Sequence, residues 1–187
     1  MAILMENLKI FVVLDETPAV EHTHDEFDVI NQYATDALSS ISDDIQIETM
    51  NKFNGRIDSG SDAEMIIKEV DKRSAQLCMD DYDCVVAEGI AAWFWLQAQV
   101  QLPIVCINPI ENPCNSLADD IDEYARQTFR RVSKERRFQK DYMTCIISAE
   151  SAEEYEAFRD EQIIWSDESL LSLEFWNEVA QNILKII

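Results

Sequence analysis

Tyr82–Ala98, YDCVVAEGIAAWFWLQA, is the stretch whose reading decides the fold. Cys84, Val85 and Val86 make the continuous apolar run of a strand covered on both faces. Ile90 through Ala98 is too long and too apolar for a second strand without a break, and reads as a helix. Between them, Ala87-Glu88-Gly89-Ile90-Ala91 has a small–x–Gly–x–small pattern. That is the outline of a nucleophile elbow, a strained strand-to-helix turn that lifts one side chain above a sheet. Strand and helix backbones nearly touch at such a turn, and Ala87, Ala91 and Ala92 supply the small flanks it needs. The tip residue often needs φ above zero, which glycine adopts without steric cost. A working elbow carries Ser, Cys or Asp at the tip. Here the tip is Gly89, so the turn is kept and the nucleophile is not.

Working outward, strands alternate with helices. Leu8–Leu14 predicts a first strand ended by Asp15-Glu16-Thr17-Pro18, and a helix follows with Phe27, Ile30 and Tyr33 near helical spacing. Asp44–Met50 alternates apolar and polar residues as a second strand. Ser61-Asp62-Ala63-Glu64 resembles a capping box opening a helix that buries Met65, Ile66, Val70 and Leu77. Leu102–Ile107, Asp141–Ser148 and Gln162–Trp165 read as further strands. Helices are expected over 116–139, Glu150–Phe158 and Ser169–Ile187. The pattern predicts one α/β domain over residues 1–187, a three-layer sandwich with a mostly parallel central sheet. In such folds a site forms beyond the carboxyl ends of the strands, where Asp15-Glu16, Glu88-Gly89, Asn108-Pro109, Glu150 and Asp167-Glu168 are expected to gather.

The charge excludes several function classes. With 37 acidic and 15 basic residues the formal net charge is −22, which disfavours nucleic acid and anionic membranes as partners. Solubility is the simplest use of such a surface; mimicry of nucleic acid toward a basic protein is the alternative. The opening MAILMENLKIFVVL lacks a basic n-region and a small-residue cleavage site, so a cytoplasmic protein is expected. Five cysteines without a CxxC pairing read as reduced thiols, three of them in strand runs. His22 and His24, the two histidines, form an HxH flanked by carboxylates; with no third ligand in view, a solvated capping loop is preferred to a metal site. The rim carboxylates are expected to point into solvent. Failing that, the arginine-rich segment 126–137 folding over the site, and after it a partner's basic surface or Mg²⁺ or Ca²⁺, would neutralise them. One of Trp93 and Trp95 is expected on the sheet and the other at a surface or lid; Trp165 and Trp176 are expected in the core.

The run VVAEGIAAWFWLQAQVQLPIVCINPIENP (85–113) carries a family resemblance. It is similar to small bacterial α/β hydrolases of the YqiA esterase type, and the likeness extends over most of the chain. The matching positions are Gly89 at the elbow, Trp93-Phe94, Leu102-Pro103, and Asn108-Pro109 with Pro113. The resemblance implies a reduced α/β-hydrolase-like fold. It places the family's triad acid at Glu150 and its histidine at Glu168, before Phe175-Trp176. The family's first strand ends in a His-Gly segment that helps form the oxyanion hole; here the corresponding residues are Asp15-Glu16. With no nucleophile, no imidazole and negative charge where an oxyanion would develop, the triad chemistry has no footing.

The expected function is therefore that of a pseudoenzyme, using degenerate positions Gly89, Glu150 and Glu168 and candidate binding residues Asp15, Glu16, Glu88, Trp93 and Asn108. It would act by binding a protein or small-molecule partner, with no cofactor and no metal called for. The alternatives are an active esterase using other residues, and an acidic protein that binds a basic, nucleic-acid-binding partner. Oligomeric state stays open.

Overall fold

Alternating apolar side chains on short strands, with amphipathic segments between them, give a layered structure. The computed structural model describes residues 8–15, 24–49, 60–98, 102–110, 123, 126–127, 143–151 and 163–187. In chain order the elements are β1 (Lys9–Leu14), α1 (His24–Leu38), β2 (Asp44–Thr49), α2 (Gly60–Met79), β3 (Cys84–Glu88) and α3 (Gly89–Leu96). Then follow β4 (Ile104–Ile107), β5 (Met143–Ile147), β6 (Ile163–Trp165) and a last helix, α4 (Leu173–Ile186). The six strands form one sheet in the order β2-β1-β3-β4-β5-β6, and every neighbouring pair is parallel. The expected α/β sandwich with a parallel central sheet is what the chain forms.

The period of two along each strand divides the core. Phe11, Val13, Val85, Ala87, Ile104 and Cys106 face α2 and α3. Ile10, Val12, Leu14, Cys84, Val86, Val105 and Ile107 face α1 and α4. Helices on both faces bury β3 and β4 completely and β1 except for Lys9, which is why their apolar stretches read as unbroken runs. Helix α4 has Ser172 as its N-cap, accepting from Phe175 N–H, with Glu174 in its first turn and Lys185 in its last. It starts four residues later than the apolar pattern from Ser169 suggested, because a turn through Leu170 and Leu171 precedes the cap. Buried Trp176 donates from Nε1 to the Leu170 carbonyl at 3.1 Å and fastens that turn.

Several expectations need correction. Met65 is exposed, and the buried stripe of α2 runs instead through Ile66, Ile67, Val70, Ser74 and Leu77. Helix α2 begins at Gly60, one residue before the expected cap Ser61. Trp165 ends the edge strand β6 and is 47% exposed, so it is not a core residue. Most of the helix expected over 116–139, all but the first turn of the one over Glu150–Phe158, and His22 lie outside the described residues. No helix among the described residues is long and apolar enough to cross a membrane.

The reduced thiols of the core make stability sensitive to alkali. Burial pushes the Cys84 thiol from its ordinary 9.0 up to about 12. The folded state thus holds this proton more tightly than the unfolded chain. The resulting stabilisation is whole below about pH 9 and is lost as pH rises toward 12. Urea midpoints measured from pH 8 upward are expected to fall along this limb, and Cys84→Val is expected to flatten it. An unchanged slope in Cys84→Val would show that the thiol does not titrate with unfolding.

Candidate functional site

The site begins where β3 ends. Glu88 is extended, at φ −106 and ψ 147, and Gly89 follows at φ +56 before the chain enters α3. The left-handed conformation anticipated at the tip is present, and a non-glycine residue there carries backbone strain. Glu88 occupies the N-cap position but its side chain makes no cap bond. The cap comes instead from another strand: Asp15, just beyond β1, accepts from Ile90 N–H through Oδ2 at 2.8 Å. Register explains the meeting, since β1 and β3 are adjacent and Val13 lies opposite Ala87. Both strands therefore end side by side at the crevice where the sheet's strand order reverses, the usual ligand position in open α/β sheets.

Here that crevice is filled by the chain itself. Asp15 is fully buried and Glu88 is 3% exposed. Asp15 N–H donates to Glu88 Oε2 at 3.2 Å, so backbone and side chain of Asp15 are both held at the junction. A Cβ on Gly89 would run into Asp15 Oδ2 and would stand 3.1 Å from Asp15 Cβ. The carboxylate thus occupies the space over the tip where a nucleophile's side chain would rise. The amide it engages belongs to the residue after the tip, one of the two donors that form an oxyanion hole on a working elbow. A negative charge at a helix N-terminus is favourable, by about 0.3–2 kcal/mol depending on burial. The expectation that the rim carboxylates point into solvent is corrected for Glu88, which is an interior group, as Asp15 is.

The remaining positions form a second group. Asn108, at φ +43 just past β4, donates from Nδ2 to Ser148 Oγ and accepts from Ser148 N–H, both at 2.9 Å. Its own N–H donates to the Ile146 carbonyl at 3.0 Å, so Asn108 ties the ends of β4 and β5 together. Two residues further, Ile110 N–H donates to the Gly89 carbonyl at 3.3 Å and brings the loop after β4 onto the elbow. Glu150 is exposed; its Oε1 accepts from Leu170 N–H at 2.8 Å and caps the turn that leads into α4. Glu168 is half-buried, and its carbonyl accepts from Ala149 N–H at 3.0 Å. Glu150 and Glu168 lie beyond neighbouring strands β5 and β6. Glu88 lies two strands from Glu150, about 10 Å at the usual strand spacing. The carboxylates therefore do not converge on one point, and Glu16 falls outside the described residues.

Trp93 and Trp95 are both buried, at 2% and 4% exposure, so neither is a surface or lid residue. Trp93 packs edge-on against Phe94, with ring centroids 5.1 Å apart. Trp95 lies against Phe11 of β1 at 5.4 Å. Trp93 serves α3 as core, and a bound molecule has no direct access to it. The serines near the strand ends are equally enclosed. Ser148 and Ser166 are buried, their hydroxyls accepting from Asn108 and from Glu168 N–H at 3.0 Å. Among the described cysteines Cys78 alone is exposed, on the last turn of α2. Among the described residues no group of three or more His, Cys, Asp or Glu is placed to hold a metal ion.

Sequence reasoning found the tip and missed its occupant and the Asn108–Ser148 pair. The available signal for the first was positional: Asp15 is the first residue beyond the strand that pairs with the elbow strand.

Gly89→Ala is expected to cost about 1–3 kcal/mol through its φ, with the collision adding to it. Asp15→Ala is expected to cost about 1–3 kcal/mol by leaving the buried Ile90 amide without this acceptor. Because the two side chains compete for one space, the double variant should be less destabilised than the sum by about 0.5–3 kcal/mol; strict additivity in urea titrations would contradict the contact. Asn108→Gly and Asn108→Ala lose the same hydrogen bonds, yet the alanine variant should be the less stable because only glycine tolerates φ +43 freely. Equal stabilities would show that the backbone relaxes. No protein-family model, no curated protein and no solved structure matches the chain.

Proposed function

We propose that the chain is a non-catalytic α/β-hydrolase-like protein, a pseudoenzyme of the cytoplasm that works by binding a protein or small-molecule partner. One observation carries the reading. The Asp15 carboxylate sits over Gly89 and takes the Ile90 N–H. Acyl transfer on an elbow needs a nucleophile at the tip and free donors for the developing oxyanion. In this chain the first is absent and one donor is engaged by a negative charge. The order of the remaining positions supports the hydrolase-like part of the proposal. The elbow follows β3, Glu150 follows β5, and Glu168 follows β6, the places where the resembled family carries nucleophile, acid and base. Only the acid position keeps a carboxyl group of use to a triad, and here that group is spent on the Leu170 amide.

The net charge of −22 favours one further reading, in which a basic protein is the bound partner. Such binding weakens steeply with salt, whereas recognition in an apolar pocket does not.

A panel of short-chain esters together with a serine-directed fluorophosphonate tests the proposal. No turnover above buffer and no stoichiometric labelling are expected. Gly89→Ser is expected to remain inactive too, since its side chain meets Asp15 and no imidazole stands in the described site. Labelling of one residue, with turnover lost on its mutation, would overturn the reading.

A further inference from the structure

The cysteines of the sheet are not equivalent. Cys84 faces α1 and α4, whereas Cys106 and Cys145 face the opposite side. Cys106 on β4 and Cys145 on β5 are register partners in adjacent parallel strands. Side chains at partner positions project to the same face, so the two thiols lie side by side. Neighbouring strands lie about 4.8 Å apart, inside the roughly 4.4–6.8 Å Cα separation that a disulfide spans. Both cysteines are reduced in the structure.

We infer that Cys106 and Cys145 form a redox-active dithiol that a small hydroperoxide converts to a disulfide linking β4 to β5. The inference is independent of the proposed function. Cys145, 8% exposed against 0% for Cys106, is the sulfur a small oxidant meets first. A hydroperoxide transfers one oxygen to it: the S–O bond forms, the O–O bond breaks, and an alcohol or water leaves. The Cys106 sulfur then attacks the sulfenic sulfur; the S–S bond forms, the S–O bond breaks, and a second water carries off the oxygen with the thiol proton. The dithiol gives two electrons and the peroxide accepts them. The neighbouring Cys145 thiol, and after it burial, hold Cys106 well above the ordinary thiol range, so the reaction is slow at neutral pH and quickens with alkali. The bridge would lie two residues before Asn108 and three before Ser148, locking the strand pair beneath their hydrogen bonds.

The test exposes the folded protein to hydrogen peroxide at pH 7 and pH 9, then alkylates it in denaturant and maps the peptides. The expected result is loss of two of the five alkylatable thiols, a single linkage between the peptides of Cys106 and Cys145, faster formation at pH 9, and full reversal by dithiothreitol. Cys84→Ser should retain the linkage and Cys145→Ala should abolish it. If Cys106 and Cys145 both stay alkylatable, or either is found bridged to another cysteine, the inference is overturned. The mapping uses the unaltered chain, so it decides the matter even where a cysteine variant fails to fold.

Discussion

A carboxylate seated on a helix N-terminus holds the centre of this molecule together. Asp15, at the end of β1, caps α3 across the strand boundary by accepting from Ile90 N–H at 2.8 Å. The geometry allows this only because Gly89 has no Cβ and takes φ +56. The two residues define each other. A side chain on Gly89 would evict Asp15, and without Asp15 the first turn of an apolar helix would lack its acceptor. Around that contact the parallel sheet, the buried α3 and the loop returning through Ile110 all meet. Its location is the switch point of strand order, where α/β sheets ordinarily admit a ligand.

Much of the fold was legible because its signals are local and redundant. Continuous apolar runs such as Cys84–Val86 and Leu102–Ile107 mark strands covered on both faces, and parallel strands joined through helices have few alternative layouts. Gly89 was legible for a sharper reason. Small residues on either side of a glycine, between a strand and an apolar helix, leave few conformations for the junction. The helical stripe on α2 was less secure, since a shift of one position exchanges Met65 for Ile67.

The site was legible only in part, and the missing part is long-range. Asp15 and Ile90 lie 75 residues apart in sequence, and Asn108 and Ser148 lie 40 apart. Nothing in the neighbourhood of either Asp15 or Asn108 announces the partner. An acidic pair after a strand reads as a solvated rim, because carboxylates are seldom buried without a partner. Here the amide of α3 is such a partner, and it becomes visible once the β1–β3 register is known. Trp93 and Trp95 were misjudged for a related reason. Periodicity assumes a helix with one wet side, whereas α3 is enclosed all round.

The account rests on the claim that the elbow's amide is engaged by Asp15 and unavailable to a substrate. Amide hydrogen exchange at Ile90, followed by NMR in the unaltered chain and in Asp15→Ala, tests it most directly. Strong protection in the first, falling by at least the roughly tenfold that about 1.4 kcal/mol represents in the second while the amides of β3 stay protected, is the predicted result. Equal protection of Ile90 in both proteins would contradict the account.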